Sequence, residues 1–142
     1  MFKHIFFLII LFFFMACQEK AKPIINKDKS LKKSIPCLKL SIINQKDEFT
    51  EYLNTLYPFS NECNYTLTLS YKKDIVCNSR QNISMKTKGK FPKSFLRLEV
   101  RKGLNRVYSY YVDLYNNVNK ADVEEGFKYL KKDLLKLIDH VQ

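Results

Sequence analysis

Apolar and polar residues run, alternate and recur along this chain in patterns that mark out one element after another. Residues 5 to 15, IFFLIILFFFM, form an unbroken apolar stretch. As a helix at about 1.5 Å per residue it would rise only about 16 Å, well short of a hydrocarbon core about 30 Å thick. From Gln18 to Ser34, QEKAKPIINKDKSLKKS is Lys-rich and without sustained period, which predicts a disordered tether. Beyond Cys37, Leu38, Leu40 and Ile42 alternate with Lys39 and Ser41, the period of a half-buried strand. Asp47 then stands where an N-cap would. Phe49, Tyr52, Leu53, Leu56 and Tyr57 recur at helical spacing until Pro58 forbids continuation, which predicts an amphipathic helix of about three turns.

The clearest period of two follows, with Tyr65, Leu67, Leu69 and Tyr71 alternating against Asn64, Thr66, Thr68 and Ser70. A weaker alternation from Ile83 to Lys88 suggests another strand. In SFLRLEVRKGLNRVYSYYVDLY, Leu96, Leu98 and Val100 share one face and Arg97, Glu99 and Arg101 the other. The pattern breaks at Lys102-Gly103-Leu104-Asn105 and resumes with Tyr108, Tyr110, Val112 and Leu114, a hairpin with a four-residue connection. Asp122 and Glu125 stand in capping-box relation ahead of Phe127, Leu130, Leu134, Leu137, Ile138 and Val141, a five-turn helix with Lys131, Lys132 and Lys136 in its later part. The order strand, helix, three or four strands, helix predicts an α+β fold. Two helices on one face of a mostly antiparallel four- to five-stranded sheet, a two-layer sandwich, would bury both apolar stripes at once.

Lys3, the short apolar stretch and the small Ala16 are the three parts of an export signal. Cleavage ahead of Cys17 by an ordinary signal peptidase would place bulky Phe14 three residues before the cut. Phe14-Met15-Ala16-Cys17 instead resembles a bacterial lipobox, in which the cysteine becomes acylated and then N-terminal. The expected organisation is a lipoprotein signal peptide over 1–16, a lipidated N-terminus and flexible basic tether over 17–35, and a single α+β domain over 36–142. Two or three acyl chains hold a protein on a membrane without any transmembrane helix.

Charge narrows the partners. The chain has 25 Lys and Arg against 14 Asp and Glu, a formal net charge of +11, and loss of Lys3 with the signal would leave +10. Such a field favours anionic lipids, acidic glycans or acidic protein surfaces, and export argues against nucleic acid. The three glycines, at 89, 103 and 126, cannot build a phosphate-cradling loop, so nucleotide chemistry is disfavoured and no cofactor is expected. Acylation of Cys17 would leave Cys37, Cys63 and Cys77, enough for one disulfide of open connectivity. With no close metal-ligand spacing and His140 the sole histidine beyond the signal, a zinc site is not expected.

Catalysis is likewise not expected. His140 lies near a helix end, and the pairs Asp47-Glu48 and Glu124-Glu125 fall in first turns of predicted helices, where negative charge offsets the macrodipole. The informative stretch is the basic strip through the hairpin. Lys90, Lys93, Arg97, Arg101, Lys102 and Arg106 form the candidate site for an anionic ligand, with phosphates met singly or through bidentate guanidinium contacts. Lysines on exposed strands also guard against edge-to-edge aggregation.

An acylatable cysteine, LKLSII, a helix, YTLTLSY, the paired FLRLEVRK and RVYSYYVDLY, and a long C-terminal helix together resemble the lipopolysaccharide-assembly lipoproteins of the LptE type. The resemblance covers roughly residues 37 to 141. It implies a non-enzymatic lipoprotein of the outer membrane, anchored on its periplasmic side, that docks to a β-barrel and contacts lipopolysaccharide with residues such as Lys90, Lys93, Arg97 and Arg101. The alternative is a small envelope lipoprotein that binds a protein, as an inhibitor or immunity factor does.

Overall fold

The computed structural model describes residues 21–41, 47–76 and 91–135. Its elements in chain order are β1 (Ile24–Lys27), β2 (Lys39–Leu40), α1 (Glu48–Leu56), β3 (Tyr65–Lys72), β4 (Ser94–Lys102), β5 (Asn105–Leu114) and α2 (Lys120–Leu134). The strands form a five-stranded open sheet in the order β1-β5-β4-β3-β2, antiparallel throughout except where β2 runs parallel to β3. With two helices this is an α+β fold. The signal stretch, Cys17, the Ile83–Lys88 strand, Cys77, Lys90 and the end of the last helix from Lys136, His140 included, lie outside the described residues.

Period-two patterning set β3, β4 and β5 as expected. Leu67, Leu96, Leu98, Val100, Tyr108, Tyr110, Val112 and Leu114 are all buried on one side. The helices supply Phe49, Leu53, Val123, Phe127, Leu130 and Leu134 to the same core, each 1 % exposed or less. At Gly126 α2 approaches the sheet closely: a Cβ there would come within 2.9 Å of the Tyr110 ring and 3.1 Å of Leu98.

The hairpin is tighter than its sequence suggested. Lys102 and Asn105 are themselves paired, so the connection is the two residues Gly103-Leu104, with Gly103 at φ 58°. A positive φ at the first turn residue alone matches the twist of the flanking strands, and glycine adopts it without a Cβ clash. Val100 faces Tyr108 while Arg101 faces Arg106, which leaves Val107 as a bulge in β5.

The tether is corrected. Ile24–Lys27 pair with Tyr108–Tyr111 as an edge strand, Ile25 and Leu31 pack against the core, and Ile35 is 3 % exposed. The Asp28 N–H donates to the bulge carbonyl of Val107 at 2.9 Å, and the Ile35 N–H donates to the Leu134 carbonyl at 2.8 Å. Edge pairing is backbone chemistry that does not require side-chain alternation, and lysines at positions 22 and 27 suit an edge.

Two caps also differ. Asp47 precedes α1 as expected, yet its carboxylate accepts from the Tyr71 hydroxyl at 2.5 Å and the Thr50 hydroxyl at 3.3 Å, not from the helix backbone. At α2 the capping box is Asn119 with Asp122: the Asn119 side chain accepts from the Ala121 and Asp122 N–H groups, and the Asp122 carboxylate accepts from the Asn119 N–H. Asn caps as well as Asp does, so the box closes three residues earlier than the Asp122–Glu125 spacing suggested. The open cysteine connectivity resolves to Cys37–Cys63, which ties the start of β2 to the start of β3 across 26 positions.

Closing a loop of that length restricts the unfolded chain by about 3–4 kcal/mol. The double variant Cys37→Ser/Cys63→Ser should therefore lose about that much stability in guanidinium unfolding. Gly126→Ala should gain about 1 kcal/mol in helix propensity but lose about 1–3 to overpacking, for a net loss in the same measurement. The bond to Asp47, then burial, hold the Tyr71 phenol up at about 12, from its ordinary 10.0. The neutral phenol is favoured by folding, so this contribution is present below pH 10 and fades as pH rises through about 12. In ultraviolet phenolate titrations Tyr71→Phe should remove a late-titrating component and flatten the alkaline loss of stability.

Candidate anion-binding face

Alternation along β4 sends Arg97, Glu99 and Arg101 to the side opposite Leu96, Leu98 and Val100. The bulge at Val107 decides the rest. Without it Arg101 would face Val107, and Arg106 would share the parity of the core-facing residues. The extra residue turns Arg106 to the outer side, directly across from Arg101. Three guanidinium groups thereby surround one carboxylate. Arg101 Nε lies 2.5 Å from Glu99 Oε1, while Arg97 Nε and Arg106 Nη1 each lie 3.9 Å from Glu99 Oε2. The arginine side chains are 47–49 % exposed and that of Glu99 only 12 %. The cluster carries an excess of two positive charges at the protein surface.

Its neighbours on the flanking strands are mostly small hydroxyl residues. Thr66, Thr68 and Ser70 of β3 face Arg101, Glu99 and Arg97 in register, and Ser109 and Tyr111 of β5 face Glu99 and Arg97. Phe95 stacks on Tyr111 with ring centroids 5.8 Å apart, and the Tyr111 hydroxyl donates to Asp113 Oδ1 at 2.7 Å. Burial raises the Tyr111 phenol, the bond to Asp113 and its charge raise it further, and the charge of Arg97 opposes them.

Of the six residues expected to bind an anion, Arg97, Arg101 and Arg106 come together. Lys93 does not join them: it precedes β4 at the far end, eight residues and about 26 Å from Arg101. Lys102 falls on the core side by parity and sits over the Tyr65 ring at 5.5 Å. Lys90 lies outside the described residues, as does Cys17. The reading of the strip as one site missed Glu99, Tyr111 and Phe95. The alternation of RLEVR already placed Glu99 between two arginines on one face, whereas the approach of Tyr111 and Arg106 needed the register.

The carboxylates weighed as acid and base have other partners. Glu124 accepts from the Tyr52 hydroxyl at 2.8 Å, and Glu48 pairs with Lys73 at 2.9 Å. Among the described residues no group of three or more His, Cys, Asp or Glu could hold a metal ion, and no helix is long and apolar enough to cross a membrane. No family model, curated protein or solved structure matches this chain.

Replacing Arg97 by Ala removes the one positive influence on Tyr111. Its phenol should then titrate at still higher pH, read from the ultraviolet phenolate signal against a Tyr111→Phe control.

Proposed function

We propose that this protein is a non-enzymatic binding module of the bacterial envelope whose outer sheet face receives phosphate-bearing lipid. In the fuller form of this reading the chain is anchored through an acylated Cys17 on the periplasmic side of the outer membrane. There it docks to a β-barrel partner and assists lipopolysaccharide assembly, as the resemblance to LptE-type lipoproteins implies. Both helices form one layer over the core-facing side of the sheet in this reading, leaving the opposite side to a ligand. What supports it is the cluster of Arg97, Arg101 and Arg106 about Glu99, with its two excess positive charges on an exposed face. Arginine offers a planar fork that a phosphate meets with two bonds, and the single carboxylate of Glu99 leaves the three guanidinium groups with a net positive charge.

The second reading is a protein-binding module of inhibitor or immunity type. What favours it is the stacked Phe95–Tyr111 pair beside the arginines, since aromatic residues and Arg are enriched in protein interfaces.

Binding of the full chain to purified lipopolysaccharide separates the roles of these residues. Arg97→Ala, Arg101→Ala and Arg106→Ala should each weaken binding, and Lys93→Gln should not. Glu99→Gln removes the competing carboxylate charge and should strengthen it about fivefold to tenfold at low salt. Equal affinity across the four variants that each remove a positive charge sinks the anionic-face reading. Depletion of the protein should lower surface lipopolysaccharide; unchanged surface levels favour the protein-binding reading.

A further inference from the structure

The β4–β5 hairpin ends in an apolar point ringed by cations. Leu104, the second residue of the turn, is 93 % exposed, more than any other large apolar side chain among the described residues. Lys102 and Asn105 form the strand pair beside it, and Arg101 and Arg106 the pair behind. The Asp28–Leu31 turn is fastened alongside by the Asp28 N–H to the Val107 carbonyl, which brings the exposed Lys29 to the same end. Two acidic groups at this end are internally engaged, and exposed Glu62 stands three residues before Tyr65. Glu99 is held among its arginines, and the Asp28 carboxylate accepts from the Ser30 N–H at 2.8 Å. Partly buried Tyr65, which packs against the core, lies beneath Lys102.

We propose that this hairpin tip docks on an anionic bilayer, with Leu104 entering the headgroup–acyl boundary while Lys29, Arg101, Lys102 and Arg106 meet lipid phosphates. One exposed leucine alone is ordinary on a protein surface. Here it stands at the apex of a two-stranded ribbon, with Lys102 and Arg106 two residues away on either side, about 7 Å of extended chain and inside the roughly 8 Å over which charges act in physiological salt. A specific protein interface needs about 800 Å² on each side, which a single projecting side chain does not offer. A bilayer accepts a point, and it rewards both features at once: apolar burial and attraction of each cation to the leaflet. Tyr65 adds an aromatic body with a polar tip, the type of side chain that settles at headgroup level. This inference shares Arg101 and Arg106 with the outer face, but Leu104, Lys29 and Lys102 lie outside that cluster, so a reporter at 104 with phospholipid vesicles tests the tip separately from lipopolysaccharide binding.

The chain contains no tryptophan, so Leu104→Trp makes a single reporter at a site where the fold has nothing to lose. In the full chain its emission should shift to the blue, and be quenched by brominated acyl chains, with vesicles of phosphatidylcholine and phosphatidylglycerol but not of phosphatidylcholine alone. Added salt should reverse the shift. Lys29→Gln and Lys102→Gln in the Leu104→Trp background should each raise the lipid concentration needed about fivefold. Acyl chains on Cys17 would insert into neutral and anionic vesicles alike, whereas the tip requires anionic ones, so failure here and failure of the anchoring reading are distinguishable. An emission unmoved by anionic vesicles, or moved equally by neutral ones, overturns the proposal. So does a shift with soluble heparin and none with vesicles, which would make the partner a dissolved polyanion.

Discussion

The antiparallel pairing of β4 with β5 is the interaction on which the other elements rest. β3 hydrogen-bonds to one side of this hairpin and β1 to the other, while α2 lies against residues of both its strands through Gly126. Because successive side chains of a strand point to opposite faces, the same nine residues of β4 supply Leu96, Leu98 and Val100 to the core and Arg97, Glu99 and Arg101 to the surface. A slip of one residue would exchange these sets and place three charges in the core, so the register is fixed by the cost of burying unpaired charge.

The bulge at Val107 relaxes that rule once and is used twice. It turns Arg106 to the outer face, and its carbonyl accepts the Asp28 N–H that fastens the chain just beyond β1. Arg97, Arg101 and Arg106 would repel one another without a counter-charge, and Glu99, shielded from water by the arginines around it, supplies that charge at the centre. Only one of the three contacts is close enough for a hydrogen bond, so two guanidinium groups stand near the carboxylate without being consumed by it. The cluster therefore keeps a net positive charge on the outer face.

Tyrosines knit the helices to their neighbours. Tyr71 reaches Asp47 ahead of α1, Tyr52 of α1 reaches Glu124 of α2, and buried Tyr108 of β5 reaches Asp133 of α2 at 3.1 Å. Burial, with the nearby Asp133 carboxylate, raises the Tyr108 phenol strongly and keeps it neutral, so the core gains a hydrogen bond without a buried charge. The Cys37–Cys63 bond fixes the parallel strand pair of the sheet, where β2 is only two residues long and ladder bonds alone give little.

The sequence by itself determined the elements whose information is local. Period two in YTLTLSY and FLRLEVR, helical spacing from Phe49 to Leu56 and from Phe127 to Leu134, and the placing of Arg97, Glu99 and Arg101 on one strand face were legible because each depends on residues a few positions apart. Tertiary structure alone decided what depends on distant partners. The residues IINK became a strand because β5 offered an unpaired edge, Cys37 met Cys63 because β2 lies beside β3, and Arg106 joined the arginine cluster because one residue bulged out of register. Backbone hydrogen bonds and register shifts carry no side-chain signature, which is why the five described residues of the cationic strip resolved in space into a cluster of three arginines and two separate lysines.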